Sequence, residues 1–210
     1  MKKYLPLLVI AVLTSSMVSA QTLRYGIVGA ANFSTYSMDA IGFDISTDSR
    51  VGFKAGFRME MDASFLLRGL YFDTEATLSS KGAEYMGFKE EKYVDVSSRP
   101  YYLEIPMHVG YHYTFGDSGL GLFGSFGPYF GIGLFGTEKY FVSGAKSNPE
   151  AFSGDNLKRF DFGLGVRAGV SMFKHYRIFA GYDWGLVDIS NVEGLDIKNR
   201  NFYIGASYMF

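Results

Sequence analysis

The segment Asn201-Phe202-Tyr203-Ile204-Gly205-Ala206-Ser207-Tyr208-Met209-Phe210 constrains the fold more than any other. Its residues alternate with a period of two, the signature of a strand. Phe202, Ile204, Ala206, Tyr208 and Phe210 share one face, all apolar; Asn201, Tyr203, Gly205, Ser207 and Met209 share the other. An apolar strand left with a free edge invites aggregation. A barrel that pairs its last strand with its first has no free edge.

The opposite end carries a second signal. Lys2 and Lys3 precede an apolar run over 4–13, then Thr14, Ser15 and Ser16, then the small-residue site Val18-Ser19-Ala20. This pattern predicts a secretory signal peptide over 1–20, cut before Gln21. The run is short for a membrane-spanning helix, which disfavours a retained anchor. The sequence contains no cysteine, which excludes disulfides, thiolate metal sites and a lipoprotein anchor. Residues 21–210 have the length of one domain. With 20 basic and 21 acidic residues, the chain has no electrostatic reason to bind nucleic acid. Aromatic residues make up 18%, with 26 glycines and only 5 prolines, a composition of strands and tight turns. The uncharged stretch 118–137 could pass for a membrane helix, but it holds seven glycines and Pro128; it reads as a strand with an apolar face.

Eight strands are expected, over 23–31, 51–62, 70–80, 100–115, 119–135, 160–171, 177–185 and 201–210. Long connections (32–50, 81–99, 136–159 and 186–200) alternate with short ones (63–69, 116–118 and 172–176). The predicted fold is all-β: an eight-stranded antiparallel up-and-down transmembrane β-barrel, with short periplasmic turns, four long extracellular loops and both termini periplasmic. One face carries Phe53, Phe57, Met59, Leu103, Ile105, Met107, Phe162, Leu164 and Val166; the other carries the charges and most strand glycines, including Gly56, Gly110, Gly163 and Gly181. A solvated face has little use for glycine, whereas a narrow lumen does. The Gly-rich polar face is therefore expected inside and the bulky apolar face in lipid. Tyr25, Tyr101, Tyr111, Tyr208 and Phe210 are expected to form a periplasmic aromatic girdle.

Tyr102-Leu103-Glu104-Ile105-Pro106-Met107-His108-Val109-Gly110-Tyr111 resembles the "YLEIP" strand of the outer-membrane β-barrel family of Bacteroidetes, whose members are called PorT-like or porin-family proteins. Phe126-Gly127-Pro128-Tyr129 with Gly131, and Phe160-Asp161-Phe162-Gly163-Leu164-Gly165, fit the same resemblance. The ending resembles the C-terminal assembly signal of bacterial outer-membrane barrels, carried here by Phe202, Ile204, Tyr208 and Phe210. The resemblance spans the mature chain. It implies the outer membrane of a Gram-negative bacterium, contact with its lipid and lipopolysaccharide, and recognition by the outer-membrane assembly machinery. A further envelope protein as partner is compatible with it. It implies fold and address, not a role.

The inward positions hold Arg24, Lys54, Arg58, Arg167 and Arg177 with Glu60, Asp62, Asp73, Glu75, Glu104, Asp161 and Asp183. Charges confined in a narrow lumen are expected to pair. The network reads as a structural plug, with a salt-bridge gate as the alternative. His108 and His112 lie ~13 Å apart along one strand and cannot chelate one ion at the ~2 Å bonds zinc requires. No metal, cofactor or catalytic residue is expected, because the outer loops lack histidine, the usual general base. Loops 81–99 and 136–159, with their aromatics and mixed charge, are candidate interaction surfaces. Gly29 and Gly124 on the outer face would permit close contact with a neighbouring membrane protein. The expected function is a non-enzymatic envelope scaffold, surface-interaction element or accessory subunit; the alternatives are a minor pore for small solutes and a lipid A-modifying enzyme. Deleting Phe210 is expected to impair assembly before any activity, seen as loss of the heat-modifiable band on a gel; normal assembly of that truncation would refute the reading of the ending.

Overall fold

The computed structural model describes residues 23–210 apart from 41–42, 90–91, 117–118, 143–144, 155 and 193. The expected signal peptide over 1–20 lies outside the described residues. The strands are β1 (Leu23–Ala40), β2 (Phe43–Ser46), β3 (Asp48–Asp62), β4 (Leu70–Ser80), β5 (Ala83–Lys89), β6 (Lys92–Thr114), β7 (Gly121–Val142), β8 (Ala145–Ser147), β9 (Phe160–Met172), β10 (Tyr176–Gly185) and β11 (Leu195–Met209). The described residues contain no helix.

Eight of these strands close a ring in the order β1, β3, β4, β6, β7, β9, β10, β11 and back to β1, with every neighbouring pair antiparallel. The seam joins the two ends of the chain. Gly26 opposes Met209, Gly29 opposes Ala206, and the ladder continues to Ala40 opposite Leu195. On its other side β11 pairs with β10, Ile178 opposing Ala206. The apolar strand thus has no free edge, as its pattern required.

Burial alternates along each strand with the phase expected of a barrel. Val51, Phe53, Phe57, Met107, Ile132, Phe160 and Ile204 are exposed on the outer surface, Phe57 to 71%. Arg58, Glu75, Tyr102, Tyr129, Arg167 and Tyr203 on the opposite face are buried. Inward glycines make room for these large side chains. A Cβ on Gly110 would lie 2.2 Å from the Tyr71 ring, and one on Gly181 would lie 2.3 Å from the Tyr203 ring. The glycine-rich face is inside because the lumen is filled to contact.

The strands run further than their turn residues suggest. β1 continues to Ala40, β6 begins at Lys92 and β7 continues to Val142. Much of the expected loops 32–50, 81–99 and 136–159 is therefore ladder, with β2 pairing β1, β5 pairing β6 and β8 pairing β7. Backbone groups exposed to water still gain by pairing, so the strands need not stop where the lipid-facing apolar pattern does. Tyr101 is a correction. It opposes Ser80 and Phe135 at the loop end, stacks on Phe135 at 4.8 Å and packs near Phe53. Tyr101 and Tyr111 on one strand are ~33 Å apart and cannot share a girdle. The girdle at the terminus end keeps Tyr25, Tyr111, Tyr208 and Phe210, with Tyr176 beside Tyr208.

Placing a charge at Phe57 tests which face meets lipid. Phe57→Arg is expected to lower folding stability in lipid vesicles by about 2–4 kcal/mol, read as a lower urea midpoint; an unchanged midpoint would mean that this face is not in hydrocarbon.

Candidate functional site

The inward faces of the eight strands converge on one line of charge along the barrel axis. At the terminus end Arg177 donates two hydrogen bonds to Glu60, at 2.5 and 2.7 Å. Arg24 and Arg58 lie 3.8 and 3.7 Å from the same carboxylate. Arg58 then donates to Asp73 and approaches Glu75 at 3.4 Å. Arg167 crosses from β9, at 2.7 Å from Glu75 and 3.7 Å from Asp73. Above this, Lys54 sits 2.5 Å from Glu104 and 3.6 Å from Asp183. Lys81 takes the other oxygen of Glu104 and lies 3.6 Å from Asp161. Glu104, fully buried, is thus held between two lysines.

Aromatic rings lie against the cations. Arg177 lies over Phe123 at 5.1 Å, Arg167 over Phe179 at 4.9 Å, Lys54 over Tyr203 at 4.4 Å and Lys81 over Tyr129 at 4.3 Å. The rings take up volume that the ions cannot fill and add attraction through their faces. Asparagines complete the packing: Asn199 donates to Asp161 at 2.9 Å, and Asn32 donates to Ser79 Oγ and the Ser80 carbonyl, each at 3.1 Å.

Of the expected lumen residues, Lys54, Arg58, Glu60, Asp73, Glu75, Glu104, Asp161, Arg167, Arg177 and Asp183 stand in this line, with Arg24 half-buried at its mouth. Asp62 does not. It is exposed at the end of β3, where its carboxylate accepts the Ser64 N–H and shapes the turn. Lys81, in the stretch 81–99 expected as a loop, stands in the line instead. Its signal was present, since Glu75, Thr77, Ser79 and Lys81 keep one phase, and all four are buried. With Asp62 out and Lys81 in, six cations (Arg24, Lys54, Arg58, Lys81, Arg167, Arg177) face six carboxylates (Glu60, Asp73, Glu75, Glu104, Asp161, Asp183). The lumen line is neutral by composition.

The histidines are spread out. His108 is buried, with Nδ1 3.4 Å from Ser125 Oγ and 3.9 Å from Asp73. His112 hydrogen-bonds Ser171 at 2.6 Å, and His175 donates from Nδ1 to the Met209 carbonyl at 2.7 Å. Among the described residues no group of three or more His, Cys, Asp or Glu side chains is placed to hold a metal. Gly29 and Gly124 both face outward, with nothing within 4 Å of a Cβ on the first and the Arg167 carbonyl 3.7 Å from one on the second.

At the loop end a small apolar cluster of Tyr36, Ala83, Ala151, Leu157, Ile189 and Ile197 closes over the lumen. In loop 186–194, Asp188 accepts from Lys158 Nζ at 2.6 Å and from the N–H groups of Ser190 and Ile197. Partial burial works against its charge, but these donors outweigh it and hold the carboxyl below its ordinary range.

The family described as "Outer membrane protein beta-barrel domain" matches residues 5–210. No curated protein matches the chain. Among solved structures the chain is similar to OprG from Pseudomonas aeruginosa, at 14% identity over 90% of this chain and 95% of that one, with a TM-score of 0.47. It is also similar to Neisserial surface protein A, at 14% identity over 91% and 100%, with a TM-score of 0.43. Ail, the attachment invasion locus protein of Yersinia pestis, is similar at 14% identity over 89% and 98%, with a TM-score of 0.39.

Removing one partner of a buried pair strands the others. Glu104→Ala leaves Lys54 and Lys81 short of a counter-charge and is expected to cost about 3–5 kcal/mol, measured by unfolding in lipid vesicles. Adding Lys81→Met restores neutrality, so the double variant is expected to be more stable than Glu104→Ala alone. Additive losses in that cycle would show that the two side chains are not coupled.

Proposed function

This chain belongs to the outer membrane protein β-barrel domain family, a protein of the Gram-negative outer membrane, and on that premise we propose that it is a non-conducting barrel that displays a binding surface at its loop end. The observation that carries this reading is the lumen. Its ions are paired within the wall and against one another, and rings fill the space between them. A pore needs mobile, hydrated ions, which a paired and buried line does not offer. In this reading the barrel acts as an envelope scaffold or accessory subunit, without enzymatic activity. The tight turns and both termini face the periplasm, and the long hairpins face outward to lipopolysaccharide or another envelope protein. The YLEIP strand supports placing the chain on the PorT-like branch of Bacteroidetes barrels. Phe202, Ile204, Tyr208 and Phe210, on the outer face of the closing strand, are the residues read by the assembly machinery.

Planar-bilayer recording of the refolded barrel tests the proposal. No steady conductance is expected from the native protein. A stable conductance that is lost on Arg58→Ala would instead establish the salt-bridge gate and the minor-pore reading.

A further inference from the structure

A carboxylate at the loop end stands apart from the paired line in the lumen. Glu138, on β7, is only 6% exposed. Its one side-chain hydrogen bond among the described residues comes from Ser98, whose hydroxyl is in turn 2.8 Å from the Tyr36 hydroxyl. No described lysine, arginine or histidine lies within ion-pair distance of it. Every carboxylate of the lumen line has at least one such partner. A buried carboxylate without a cation is costly, and its neighbours Ser98 and Tyr36 supply hydroxyls, not charge.

Glu138 also lines a cavity of about 180 Å³. The rest of its wall is mainly apolar, with Tyr36, Leu157 and Ile197 buried and Tyr85 and Val192 exposed at the rim. Glu84, also at this cavity, is paired with Arg99 at 3.8 Å, so Glu138 is the carboxylate of this wall without a cation. An apolar cleft with a few convergent polar groups is the usual form of a small-molecule site. An apolar cavity of roughly 150 Å³ holds benzene, so this one has room for a single ring or a short branched chain. The aromatic wall also suits a cation, which is attracted to ring faces.

We propose that this cavity binds a small organic amine of about one-ring size, its ammonium paired with Glu138 beside Ser98 and its apolar body against Tyr36, Leu157 and Ile197. The ligand supplies the charge that the fold leaves out. The site is separate from the lumen line and does not depend on whether the barrel conducts.

Benzylamine is the probe. Titrated into the full barrel in micelles and followed by NMR shifts of the loop-end amides, it is expected to bind saturably, one per barrel. Benzyl alcohol, of the same size but uncharged, is expected to bind at least about tenfold more weakly, which corresponds to about 1.4 kcal/mol. Glu138→Gln removes an uncompensated buried charge, so folding is not at risk; it is expected to weaken benzylamine by about tenfold or more and to leave benzyl alcohol unchanged. Ile197→Trp, which fills the cavity, is expected to abolish both while the heat-modifiable band persists. Failure of benzylamine to saturate, or equal affinity of the native barrel and Glu138→Gln, would overturn the proposal.

Discussion

The line of charge inside this barrel depends on one constraint: a charge removed from water must meet an opposite charge. The lipid outside and the packed lumen inside leave each ion only its neighbours. Six of the eight ring strands supply between one and three of these ions, and none is complete alone. Lys54 from β3 needs Glu104 from β6 and Asp183 from β10. Arg167 from β9 needs Glu75 from β4. The pairs therefore reach across the ring and bind strands that are not adjacent in the sheet. The backbone ladder closes the wall, and the ion line ties the wall to itself through the middle.

The glycines and rings follow from the same constraint. Arginine and lysine reach the axis only if something beside them is small. Gly110 yields to Tyr71, and Gly181 yields to Tyr203. These tyrosines then support the cations from the side. Glycine weakens a strand in isolation, so the sheet accepts that weakness for a filled interior.

Much of this was legible in the sequence, because alternation in a strand assigns every side chain to a face. Phe202 to Phe210, Phe53 to Met59 and Leu103 to Val109 could be sorted without a structure. What alternation could not survive is a change of phase. Tyr101 opposes Phe135 while Tyr102 opposes Gly133, so Leu134 is an extra residue in β7. Beyond it the inward positions shift by one, and Glu138 faces in where the earlier phase would have turned it out. No feature of the sequence announces that bulge, and a strand expected to end at Phe135 leaves Glu138 in the loop 136–159 before any phase is assigned to it. Lys81 was lost differently: Gly82 follows it, and a strand read to end at Ser80 discards a residue that keeps the phase. Asp62 was included because parity says nothing about depth, and a carboxylate at a strand end can turn to cap a loop.

The bulge at Leu134 also marks a height. Beyond Phe135, β7 continues to Val142 while β6 runs back to Lys92 beside it. Seven residues of tilted strand rise roughly 15–20 Å above the level of the Tyr101 and Phe135 rings. A large visitor from that side meets the hairpin tips long before it meets the membrane. The barrel is therefore shaped like a post: its foot is anchored by lipid, and its top is available to molecules too bulky to reach the bilayer itself.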